Sequence, residues 1–206
     1  IASGCIPGGL EMMDNPAIRA AEDYVHADYP VDAAAILLCE LDGTHEEVSE
    51  GIARVRELLF RQGATEVRTA KDEAERLRMW AGRKNAFPAV GRLSPDYYCM
   101  DGTIPRKHIA KVLTRIGELS AEVGLAVANV FHAGDGNLHP LILYDANQPG
   151  QLERAEQLGG RILELCVEVG GTITGEHGVG VEKINQMCVQ FTQQELAQFH
   201  ALKHAF

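Results

Sequence analysis

An α+β fold, with an antiparallel sheet and helices packed mainly on one face, is predicted for this chain of 206 residues by three observations. Short apolar runs of strand length alternate with longer stretches of helical periodicity. From Tyr97 onward the order reads strand, helix, strand, strand, helix, strand. No repeat at a fixed period and no low-complexity linker interrupts that order, so one domain over 1–206 is expected.

After a weak start around Pro7, Gly8 and Gly9, the pattern predicts a helix near Pro16–Ala27. Ala33–Leu41 is apolar, too short for a typical helix and flanked by Pro30 and Gly43, which marks a buried strand. Thr44 and Glu47 have the spacing of a capping box. Behind them Val48, Ile52, Val55, Leu58 and Leu59 recur at helical spacing until Gly63 ends the run. A short strand is expected at Thr65–Thr69. Lys71 to Phe87 reads as a charged amphipathic helix broken at Pro88.

A loop with Gly91, Ser94 and Pro95 leads to a strand at Tyr97–Ile104, and Pro105 suits the first turn of the next helix. Ile109, Val112, Leu113, Ile116, Leu119 and Val123 line one face of that helix, which Gly124 closes. Leu125–His132 and Leu138–Tyr144 are predicted strands, and a helix runs from Pro149-Gly150 to Val169. Gly170-Gly171 stops it before a short strand at Thr172–Thr174, and Thr192 with Glu195 caps a last helix reaching Phe206. The βαββαβ order from Tyr97 is the ferredoxin-like pattern, and the earlier strands are expected to extend the same layers.

Composition removes several function classes. Apolar residues make up 46% and charged residues 23%, ordinary globular usage that excludes disorder. A net charge of −10, with pI near 5.2, argues against nucleic-acid partners and anionic membrane surfaces, both of which need a Lys/Arg surplus. No stretch approaches ~18 uninterrupted apolar residues, so no transmembrane segment is expected. Ile1–Leu10 has neither a basic region nor a long apolar core, so no signal peptide is expected there. Cys5, Cys39, Cys99, Cys166 and Cys188 are odd in number and form no CxxC, which points to reduced core thiols in a cytoplasmic protein. The first residue is Ile1 rather than Met, and the chain stops straight after a helical run, so a piece of something longer is expected.

The richest segment is Phe131-His132-Ala133-Gly134-Asp135-Gly136-Asn137-Leu138-His139. Asp-Gly between two strands signals a tight hairpin. With Asp135-Gly136 as a two-residue turn, Gly134 pairs with Asn137, Ala133 with Leu138, and His132 lies opposite His139. Opposed imidazoles on one face can converge on a single cation. Either histidine alone reads as an ordinary surface or hydrogen-bonded core residue, and even the pair is open to that reading. A third ligand would decide, and Gly171-Thr172-Ile173-Thr174-Gly175-Glu176-His177-Gly178-Val179-Gly180 offers one. Glu176 and His177 can divide metal binding and proton transfer between them, unless they simply face solvent on a glycine-rich turn. The G-x-x-G-x-G order is not a dinucleotide fingerprint, and Lys183 lacks the glycine spacing of a P-loop. Arg83 and Arg92 are candidate anchors for a carboxylate, or plain solvated charges. Trp80 reads as packing.

Phe131–Pro140 and Gly175–Gly180 closely resemble the C-terminal domain of FAD-linked 2-hydroxyacid oxidases and dehydrogenases. Ala33–Gly43, Trp80–Gly91, Asp96–Pro105 and Asn129–Leu143 look more narrowly like the FAD-binding subunit of glycolate oxidases. The resemblance covers nearly the whole chain. It implies a domain that caps a flavin site held mainly by a separate N-terminal FAD domain, with further glycolate oxidase subunits as possible partners. It implies that His132, His139 and Glu176 bind a divalent metal, usually zinc. His177 would take the hydroxyl proton while hydride leaves for FAD, and Arg83 would hold the substrate carboxylate. Glu176, His177 and Gly178 would face the cofactor. Three positions depart from relatives acting on longer hydroxydiacids: Cys99 replaces a Lys, Leu141 an Asn and Phe87 a Thr. Those losses of polar grips favour a small 2-hydroxy acid such as glycolate or lactate. Family members also continue past the last helix into a segment that touches FAD, which this sequence lacks. Two other readings compete: a stand-alone metallohydrolase using His132, His139 and Glu176, and a non-catalytic ferredoxin-like assembly module.

Overall fold

The computed structural model describes residues 1 and 3–206. Its sheet begins earlier than the apolar pattern suggests, with strand β1 at Gly9–Asp14. Asp14 then caps helix α1 (Asn15–Val25), its carboxylate accepting from the Ala17 amide at 3.2 Å, with Pro16 in the first turn. Strand β2 (Ala35–Glu40) returns antiparallel to β1, Met13 opposite Ile36. Helix α2 (His45–Arg61) starts with the Thr44–Glu47 capping box. Thr65–Thr69 forms no strand, because it finds no neighbouring ladder to supply its backbone partners.

Helix α3 (Glu73–Lys84) is capped by Asp72 and ends at Asn85, whose φ of −105° and ψ of 12° leave the helical range. A separate helix α4 (Ala86–Val90) follows. The expected break at Pro88 does not occur, because Pro88 falls in the first turn of α4, where a missing N–H costs nothing. The strand expected at Tyr97–Ile104 is two pieces, β3 (Asp96–Cys99) and β4 (Gly102–Thr103). Helix α5 (Ile109–Val123) closes at Gly124, φ 71°. Strands β5 (Val127–Phe131), β6 (Asn137–Leu138) and β7 (Pro140–Tyr144) lead to helix α6 (Gln151–Glu168). The last expected strand shrinks to one bridge between Thr172 and Thr103. Short helix α7 (Met187–Gln190) and helix α8 (Gln193–His204), with its Thr192–Glu195 capping box, end the chain.

The main sheet runs β2-β1-β5-β7-β3, every neighbour antiparallel. Its β3-β7-β5 part has the ferredoxin-like order, and β1 and β2 extend it beyond β5, as the element order predicts. The helices do not keep mainly to one face. Val112, Ile116 and Leu119 of α5 and Leu158 and Ile162 of α6 pack over Met12, Phe131 and Ile142. On the opposite face Ile18 and Ala21 of α1 and Ala86 and Val90 of α4 cover Met13, Ala128, Val130 and Leu141. The physical reason lies in β5, whose five residues are all buried. A strand apolar on both sides needs cover on both, since each Leu- or Ile-sized side chain gains roughly 1.5–3 kcal/mol from burial. The second face matters for function, because α3 and α4 form a roof there over one end of the sheet.

Candidate functional site

The hairpin between β5 and β6 is wider than a two-residue turn. His132 N donates to Asn137 O at 3.0 Å, and the amides of Asp135 and Gly136 both donate to His132 O. Ala133–Gly136 therefore form a four-residue turn, with Gly136 at φ 79°. A primed two-residue turn would have put Asp135 at positive φ as well. Gly136 is also docked on the chain, its O accepting from Ile104 N at 2.9 Å, where a Cβ would lie 2.1 Å from Ile104 O. His139 thus sits beside Val130, not opposite His132. This correction is a slip of two residues, which keeps both histidines on the same face; a slip of one would have separated them. Their ring centroids are 5.2 Å apart.

The second motif is drawn to the hairpin by Asp101, a fully buried residue between β3 and β4. Its carboxylate accepts from the amides of Gly175, Glu176 and His177, the last at 2.7 Å, and from the Thr174 hydroxyl at 2.9 Å. Buried Lys183 donates to it at 3.4 Å. Burial raises the Asp101 carboxyl, but the His177 amide, the Thr174 hydroxyl, the Lys183 ammonium and the Glu176 amide outweigh it and hold the group at about 2. Gly175 must be glycine for this approach, since a Cβ would lie 2.5 Å from Asn137 Oδ1.

Both motifs then meet at one atom. Glu176 Oε1 lies 2.8 Å from His139 Nε2, 3.7 Å from His132 Nε2 and 3.8 Å from His177 Nε2. The His177 ring stacks on His139 at 5.1 Å between centroids. Burial, and after it the neighbouring His132, pushes the His139 imidazole below its usual range, favouring the neutral form that ligates metals. His139 Nδ1 faces the Met100 carbonyl at 3.4 Å, an acceptor only. The tautomer that satisfies it turns the Nε2 lone pair on a carboxylate. Converging bases of this kind need protons or a cation between them, which makes the cluster a candidate metal site. Asp101, His139, Glu176 and His177 each bring a ligand atom within 4.8 Å of the others. Asp101 is already saturated with donors, so the donor set open to an ion is imidazole and carboxylate.

Arg83, on α3, reaches the same end of the sheet. Its Nε donates to Glu11 Oε2 at 2.9 Å, and its Nη2 lies 3.5 Å from His132 Nδ1. The structure thus gathers His132, His139, Glu176, His177 and Arg83; Arg92 stands apart, 3.8 Å from Asp23. Three residues of the arrangement escaped the sequence: Glu11, Asp101 and Lys183. Glu11 was discoverable from Leu10-Glu11-Met12-Met13, had the Gly8-Gly9 start not hidden a strand. The polar grips absent from the sequence correspond to apolar walls. Phe87 meets His139 edge-on at 6.0 Å, and the Cys99 thiol, pushed up to about 12 by burial, lies 4.0 Å from His139 Nδ1. Leu141 is fully buried opposite Cys99. Gly178 takes φ 82°, and a Cβ there would meet open space.

One end of the antiparallel sheet thus carries a histidine–carboxylate cluster, roofed by short helices. Residues 1–206 match throughout the family described as FAD linked oxidases, C-terminal domain, and the chain belongs to it. It is 69% identical over 206 residues to glycolate oxidase subunit GlcD of Escherichia coli, covering all of this chain and 41% of that protein. The Bacillus subtilis GlcD is 36% identical over the same 206 residues, which cover 44% of it. The chain therefore spans about two-fifths of the curated relatives it matches. Among solved structures, p-cresol methylhydroxylase with substrate bound superposes with a TM-score of 0.65 at 14% identity, over 98% of this chain and 45% of that one. At such identity the likeness concerns the fold alone. Among the described residues no helix is long and apolar enough to cross a membrane.

Proposed function

We propose that this chain is the substrate- and metal-binding cap of a flavin-dependent 2-hydroxyacid oxidoreductase of the glycolate oxidase kind. The reaction converts a small 2-hydroxy acid to the 2-oxo acid, with hydride passing to FAD. The observation that carries this reading is the convergence of three imidazole Nε2 atoms on Glu176 Oε1 beside Arg83. His132, His139 and Glu176 would hold a divalent cation, and their N/O donor set suits zinc. When bound, that cation supplies Lewis acidity toward the substrate hydroxyl and FAD supplies the two-electron acceptor.

The chain's own residues divide the remaining work. His177, its side chain 45% exposed at the mouth of the cluster, takes the hydroxyl proton on its imidazole. Arg83 grips the substrate carboxylate with the part of its guanidinium not given to Glu11. Glu176, His177 and Gly178 present the loop to FAD, the open space at Gly178 allowing close approach of a flat ring. A separate N-terminal domain would hold most of the FAD, and other glycolate oxidase subunits are the expected partners. A cytoplasmic location fits the five free cysteines. The family match favours this reading over the metallohydrolase and the assembly module.

Phe87 and Cys99 leave a second carboxylate without a partner, and an unpaired charge against an apolar wall is costly. Full-length protein, followed by flavin bleaching under anaerobic conditions, is expected to favour glycolate and lactate over 2-hydroxyglutarate by at least roughly tenfold in kcat/KM. Equal rates with the diacid would contradict the small-acid assignment; no bleaching with any 2-hydroxy acid would contradict the reaction.

A further inference from the structure

We infer that Glu11 is a positioning residue that sets the tautomer of His132 and thereby the affinity of the cluster for a divalent cation. The inference rests on the reading of His132 as a ligand. Glu11 stands on β1, on the face it shares with buried Met13, and its side chain is 16% exposed. Its two oxygens are divided. Oε1 lies 2.9 Å from His132 Nδ1, while Oε2 accepts from Arg83 Nε at 2.9 Å and pairs with Arg83 Nη2 at 2.8 Å.

A carboxylate can only accept, so the hydrogen of a neutral His132 is drawn to Nδ1. The lone pair is then left on Nε2, the atom aimed at Glu176 Oε1 from 3.7 Å. A carboxylate behind an imidazole also raises its basicity as a ligand and fixes the ring. Arg83 completes the device. Held at two nitrogens, Glu11 cannot swing out of line with His132, and its charge is balanced in a half-buried place. Arg83 and His132 lie 49 residues apart in sequence, and Glu11 is 72 and 121 residues from them, so only the sheet assembles the triad.

The test titrates Zn²⁺ into metal-stripped full-length protein against a chromophoric chelator. Glu11→Gln keeps size and shape but loses the charge, and is expected to weaken zinc binding by about 10–100-fold. In a His132→Ala background the same substitution is expected to change affinity less than about twofold, because its route of action is gone. A purely structural role would lower affinity equally in both backgrounds. Equal loss in both, or unchanged affinity of Glu11→Gln in the parent, would overturn the inference alone. A parent protein that takes up no zinc would overturn the metal-site reading and this inference with it.

Discussion

Replacing His177 by Ala in the full-length enzyme is expected to lower turnover by roughly 10²–10⁴-fold while metal content stays near that of the parent. The expectation follows from unequal positions around Glu176 Oε1. His139 is buried and makes the closest contact, 2.8 Å, whereas His177 lies at 3.8 Å with almost half its side chain exposed. An exposed imidazole can exchange protons with solvent, and a buried one cannot. On the proposed assignment, removing it takes away the proton acceptor without opening the cation site. Turnover and elemental analysis on the same preparation separate the two effects. Unchanged turnover would sink the base assignment, and loss of metal in proportion to turnover would make His177 a ligand instead.

Asp101→Asn is expected to have the largest effect on stability, about 3–5 kcal/mol, because it leaves the Lys183 ammonium buried without its partner. It also replaces the charged acceptor of the Gly175, Glu176 and His177 amides by a weaker neutral carbonyl oxygen, which loosens the loop that carries the site. The pH dependence has a definite sign. A carboxyl held at about 2 in the fold, against 3.8 ordinarily, contributes stability that is complete above about pH 5 and lost as pH falls through about 2. That contribution is about 2 kcal/mol. Urea unfolding between about pH 7 and pH 2 should therefore show an acid limb in the parent that is shallower in Asp101→Asn. The double variant Asp101→Asn, Lys183→Met removes the stranded charge and should regain stability without regaining the loop. A loss below about 1 kcal/mol in the single variant would show that Asp101 does not organise the loop.

Local signals were legible where chemistry and periodicity coincide. Apolar spacing located α5, Pro149-Gly150 and Gly170-Gly171 bracketed α6, and the Thr44–Glu47 and Thr192–Glu195 spacings marked true helix starts. His132, His139, Glu176 and His177 stood out because glycines around them promised sharp turns, and the structure does bring them to one place. What stayed hidden was whatever depends on distant partners. Asp101 and Lys183 are 82 residues apart and, as single charges in unremarkable surroundings, carry no pattern. Glu11 interrupts an apolar strand, and its meaning comes only from His132 and Arg83. The wider hairpin turn docks through Gly136 on Ile104, a residue outside the hairpin that its own sequence does not point to. Helices on the second face followed from β5, whose apolar residues point to both faces, but its sequence did not say which helices would cover it.

The most direct test of the site is elemental analysis of purified full-length protein beside its His139→Ala variant. About one divalent ion per chain is expected in the parent and almost none in the variant, because His139 is the buried imidazole closest to Glu176. A parent without metal, or a variant that keeps a full complement, would contradict the proposal that these residues form a metal-dependent substrate site.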